Sequence, residues 1–175
     1  MFNYVNILFL FSYTLVIMNF YQVLPNIWIC IVRPDYIKRT PNINLKAILQ
    51  EFARKNSITK SIKAHKDLDF FGRSNQYIDI IREQMERDEI KKLYNYLLKT
   101  TKTLFDYYCQ GENSLIISGV DINKSIAIIT TFLIKYADMT VSQSIKSIQS
   151  KIKDNIIIPG NYQKTLMLVE KMNKE

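Results

Sequence analysis

Leu115-Ile116-Ile117-Ser118-Gly119-Val120-Asp121-Ile122-Asn123-Lys124-Ser125 is the stretch around which the chain is organised. Three apolar residues lead into a short polar loop, and the apolar run Ile126 to Ile134 follows at once. That order predicts a buried strand, a tight loop and a helix N-terminus. Loop amides and the helix dipole then converge on one point, which is the layout of an anion site. The loop lacks both the Gly-x-x-x-x-Gly-Lys of a nucleotide P-loop and the Gly-x-Gly-x-x-Gly of a dinucleotide turn, so those two functions are excluded.

The flanks read as an α/β domain. Tyr21 to Cys30 predicts two short strands about the turn Pro25-Asn26. Asn44 is placed to cap a helix over residues 45–55, with Leu45, Ile48, Leu49 and Phe52 on one face. Residues 57–64 predict a strand, 65–75 a loop, and Tyr77 to Gln84 a further strand running into a loop. A helix is expected from Glu89 to Cys109, on the stripe Ile90, Leu93, Leu97, Leu104 and Tyr107. After the central loop and its helix, a short turn at Met139 opens another helix, and a last one holds Leu166, Met167 and Val169.

Together these segments resemble the dual-specificity branch of the cysteine-dependent protein tyrosine phosphatases. That family carries a strand ending in His-Cys, then five residues, then Arg-Ser. Here the five residues Gly119 to Asn123 separate Ser118 from Lys124, and Ser125 follows. The resemblance runs from Tyr21 to Met172: the opening hairpin, a Tyr-x-x-Ile strand at Tyr77, the loop, and Pro159-Gly160-Asn161-Tyr162 for a Pro-Asn-x-x-Phe segment. It implies a central, mostly parallel sheet of about five strands flanked by helices, with the strand at Leu115 to Ile117 in the middle.

The key positions depart from the family. Ile117 stands in place of His, Ser118 in place of the nucleophilic Cys, Asp121 in place of the usual Gly, and Lys124 in place of Arg. Gln84 falls near the general acid's place, with Glu83 and Glu86 as neighbouring substitutes. A loop that ionises a thiol cannot be expected to ionise a serine hydroxyl, and the single histidine, His65, does not make a Ser-His pair. Lys124 offers a point charge where arginine offers a planar fork. Asp121 sets a carboxylate against any phosphate, and Gln84 cannot protonate a leaving group.

The resemblance and its departures imply a catalytically inactive pseudophosphatase. Its phosphate loop is Ser118, Gly119, Val120, Asp121, Ile122, Asn123, Lys124 and Ser125, and it binds a protein partner or phosphoprotein. Two alternatives stay open: an active or residually active phosphatase, and a basic scaffold that binds protein or nucleic acid away from the loop. No cofactor and no metal site are expected, because Cys30 and Cys109 make no metal spacing. The net charge of +8 permits anionic partners, though a solvated lysine-rich surface is the more common reason for such a charge. Nucleic acid is not the expected partner; a homodimer is a further option. Heavy use of Ile, Lys and Asn fits an AT-rich genome such as that of a virus or parasite.

The domain is expected over residues 21–172, preceded by an apolar extension, residues 1–20. Residues 2–17 are uncharged and largely apolar, with Asn3, Asn6, Ser12 and Thr14 interrupting. A membrane helix needs about 20 apolar residues. Three readings of the segment stand: sequence upstream of the natural start, an anchor, or an apolar helix packed on the domain or a partner. The location is accordingly cytoplasmic, or membrane-anchored through that segment.

Overall fold

The computed structural model describes residues 18–32, 45–64, 87–119, 122–152 and 156–175. The chain opens with strands β1 (Met18–Leu24) and β2 (Ile27–Val32), paired antiparallel. Pro25 fixes the first corner of their turn, and Asn26 takes a left-handed φ of 61°, which asparagine tolerates. The strand begins at Met18, three residues before the sequence reading places it.

Helix α1 spans Leu45–Lys55, followed by β3 (Ile58–Lys63), α2 (Arg87–Cys109), β4 (Asn113–Ser118), α3 (Asn123–Ala137), α4 (Val141–Gln149) and α5 (Gly160–Asn173). Among the described residues the sheet has four strands in the order β1-β2-β4-β3. Strands β2 and β3 both pair parallel with β4, so β4 is central. The fifth strand expected at Tyr77 lies outside the described residues. Leu115, Ile116 and Ile117 are fully buried, the continuous apolar burial of an inner parallel strand.

Alternation along the strands divides the core in two. On one face Phe20, Trp28, Cys30, Leu115 and Ile117 pack under α1 through Leu49 and Phe52. Phe52 stacks on Phe20 at 3.8 Å and meets Trp28 edge-on at 5.3 Å. On the other face Tyr21, Ile29, Ile31, Ile62 and Ile116 meet the larger helical layer of α2, α3, α4 and α5.

Helix α3 is the middle of that layer. Every residue from Lys124 to Ile134 is buried, and it packs against α2, α4, α5 and β4. A helix apolar on nearly all sides holds its place by being enclosed. Helix α2 ends in a Schellman motif: Glu112 N–H donates to Tyr107 O at 3.0 Å, Gly111 N–H donates to Tyr108 O at 3.0 Å, and Gly111 has φ 73°. The turn then feeds β4 directly. Among the described residues, no helix is long and apolar enough to cross a membrane. Residues 2–17 lie outside them.

Candidate functional site at the end of the central strand

The central strand delivers Ser118 to the C-terminal end of the sheet, where open α/β folds bind ligands. Ser118 is fully buried and pairs in register with Ile31 of β2. It follows Ile116 by two residues and so shares that residue's face of the sheet, toward the helical layer. Gly119 is also buried. On the other flank of strand β4, Ala64 N–H donates to Ile117 O at 2.8 Å, tying the end of β3 to the loop entrance.

The chain re-enters the described structure at Ile122, the N-cap of α3, with φ −63° and ψ −22°. Among the described residues, no side chain caps this helix start. The first turn instead presents Asn123, Lys124 and Ser125. Lys124 is only 4% exposed, and Ser125 is fully buried. Among the described residues, the Ser125 hydroxyl oxygen has no hydrogen-bond partner. Ser118, Asn123 and Lys124 each do have an interaction partner.

The structure therefore brings Ser118, Gly119, Ile122, Asn123, Lys124 and Ser125 together as a strand end and a helix start. Val120, Asp121, Gln84, Glu83, Glu86 and His65 lie outside the described residues. Lys63 was not read as a site residue from the sequence. It is the last residue of β3, largely buried, opposite Ile117 and at the same end of the sheet as the loop. Its strand reads Ile-Thr-Lys-Ser-Ile-Lys, and nothing in that alternation marks one lysine as inward.

Neither cysteine is placed to substitute for Ser118. Cys30 is fully buried in β2, among the residues under α1, and burial pushes its thiol up, away from the thiolate. Cys109 ends α2, only a short turn before Asn113, at the sheet end opposite the loop. Both thiols are free. No group of three or more metal-ligating side chains occurs among the described residues.

No protein-family model matches the sequence, and neither does any curated protein. Solved structures do match. A leucine-rich-repeat and phosphatase-domain protein from Entamoeba histolytica is 22% identical, with 89% of this chain and 92% of that one covered at a TM-score of 0.63. Human DUSP28 is 11% identical, with 89% and 95% covered at a TM-score of 0.63. This is the dual-specificity phosphatase fold. Human tyrosine phosphatase-like serine/threonine/tyrosine-interacting protein shares it at 13% identity, with 89% and 98% covered and a TM-score of 0.63. Within the dual-specificity phosphatase fold, the β4–α3 connection is the place where the five-residue spacing between Ser118 and Lys124 falls.

Proposed function

We propose that this chain is a catalytically inactive phosphatase-like protein that works by binding a protein partner. The observation that carries the reading is the pairing of an intact frame with altered chemistry. The strand end and the buried helix start lie on a dual-specificity phosphatase fold, and by the resemblance of the sequence Ser118 and Lys124 fall where the family has Cys and Arg. A buried serine is a poor nucleophile toward phosphorus unless a base activates it, and no histidine lies among the described residues. The tyrosine phosphatase-like interacting protein of the same fold supports a binding role.

A phosphorylated partner is the more specific form of the reading. It is favoured by the start of α3 and the Ser125 hydroxyl, neither of which has a side-chain partner among the described residues. Asp121 works against it, since a carboxylate beside phosphate is repelled even when partly screened. Purified protein is expected to hydrolyse neither aryl phosphates nor phosphopeptides above background, and Ser118→Cys alone is expected not to restore turnover. Thiol-sensitive turnover in that single variant overturns the inactive reading. By isothermal titration with a phosphotyrosine peptide, Asp121→Gly should bind more tightly than wild type, by on the order of 1–3 kcal/mol. Tight wild-type binding that Asp121→Gly leaves unchanged or abolishes means a loop rebuilt for phosphopeptide capture.

A further inference from the structure

Away from the loop, Ile90, Lys91, Tyr94 and Asn95 of α2 and Leu168 and Met172 of α5 line a groove of about 370 Å³. Its apolar floor is open to solvent: Met172 is 49% exposed and Leu168 37%. Leu168 and Met172 stand four residues apart on α5 and so present neighbouring apolar side chains to the groove.

The chain itself supplies an occupant of matching chemistry. Residues 2–17 carry no charge and are mostly apolar. Spaced as a helix, Asn3, Asn6 and Thr14 would fall on one stripe, with Ser12 the one polar residue on the opposite face. The place where this segment joins the fold also suits the groove. Met18 pairs with Val32, the last residue of β2, which runs parallel to β4. Met18, the first described residue, therefore lies at the loop end of the sheet. Helix α2 feeds the opposite end of β4 through a short turn, so its first turns, including Ile90 to Asn95, also lie toward the loop end. Sixteen residues reach about 24 Å as a helix, or about 50 Å extended, ample to cross one side of a domain this size.

We propose that residues 2–17 dock as an apolar segment in the groove between α2 and α5 of their own chain. This inference is independent of what the phosphatase-like loop binds. Hydrogen exchange of the dilute full-length chain tests it. Amides of residues 2–17 should be protected in wild type, and protection should fall about tenfold in Leu168→Asp/Met172→Asp, which replaces two buried apolar contacts by charge. Met167→Asp, exposed beside the groove without lining it, should leave the protection unchanged. Amides of β4 and α3 report that each variant is folded. If the double variant loses those as well, a second measurement decides. With Cys109→Ser removing the exposed native thiol, Leu10→Cys and Met172→Cys should form a disulfide within one chain.

Absent protection of residues 2–17 in wild type overturns the proposal, as does protection that the double variant leaves intact. Disulfides only between chains, or concentration-dependent protection, assign the groove to a second copy. Protection that arises only with phosphatidylcholine–phosphatidylglycerol vesicles assigns the segment to a membrane. Each of these results replaces docking within the chain.

Discussion

Helices α3 and α4 belong to the same helical layer, and they start in opposite ways. Helix α4 begins with a complete capping box. The Gln143 amide donates to Thr140 Oγ1 at 3.2 Å, and the Thr140 amide donates to Gln143 Oε1 at 2.9 Å. The Val141 amide donates to Glu170 Oε2 of α5 at 2.9 Å. Helix α3 has Ile122 where α4 has Thr140, and its buried Ser125 hydroxyl is without a partner among the described residues. One helix start is closed by its own side chains and serves as a joint. The other has no capping side chain among the described residues, although it sits at the centre of the fold, where the sheet delivers its middle strand. A helix N-terminus held in that state is what an anion site requires.

Deleting each of the two hydroxyls by substitution with alanine should give opposite signs. Ser125→Ala removes a buried polar atom that lacks a partner, so it should raise stability in phosphate-free buffer by about 1–3 kcal/mol, read by urea denaturation. A clear loss instead would mean that the Ser125 hydroxyl is already satisfied and the two helix starts are alike. Thr140→Ala should lower stability by about 1 kcal/mol and leave binding of a phosphopeptide unaltered. Gln143→Ala, which removes only the reciprocal half of the box, should cost a few tenths to about 0.5 kcal/mol.

The smallest effect concerns the clasp between α4 and α5. Lys174 donates to Glu170 at 2.7 Å and, with the Val141 amide, holds the Glu170 carboxyl below its ordinary value of 4.5. A depressed folded-state pKa adds stability above the ordinary value and loses it as pH falls through the folded one. Glu170→Gln should therefore flatten the decline of melting temperature on acidification below 4.5, with little change at neutral pH. An unchanged acid slope would remove the clasp from the account of why α4 is rigid at its start.

These contrasts also show which parts of the molecule could be read from residues alone. The hairpin was legible because Pro25-Asn26 separates two apolar runs, and the place of β4 was legible because Leu115 to Ile117 have no polar alternation. The bounds of α1 match the sequence reading at both ends. The capping box of α4 is written locally as Thr140-x-x-Gln143, a signature visible in the sequence. Its tie to Glu170, 29 residues away, has no local signal. The end of α3 is similarly silent. Asp138 takes the left-handed conformation, φ 50°, at a position where glycine would have announced the stop.

At the loop, sequence spacing alone placed Ser118 and Lys124 on either side of the strand–helix junction, because the strand and the helix are both strongly apolar. It could not foresee that Lys124 and Ser125 would be nearly or wholly enclosed, since burial there depends on α2, α4 and α5 closing around α3. Lys63 is missed for the same reason: its enclosure is a property of the sheet end, and its own strand gives no hint of it.

Trp28 is the chain's single tryptophan, and it sits on the face of the sheet remote from the loop, edge-on to Phe52 of α1. Its ultraviolet emission is consequently a private channel to one layer of the molecule. Shielded at 5% exposure, it should emit at short wavelength and shift to the red when α1 lifts away. Ligands arriving at the β4–α3 junction should leave it dark to their presence. A spectral change on adding a partner would thus report an event on the α1 side of the sheet, and tyrosine or an introduced label would be needed to watch the loop.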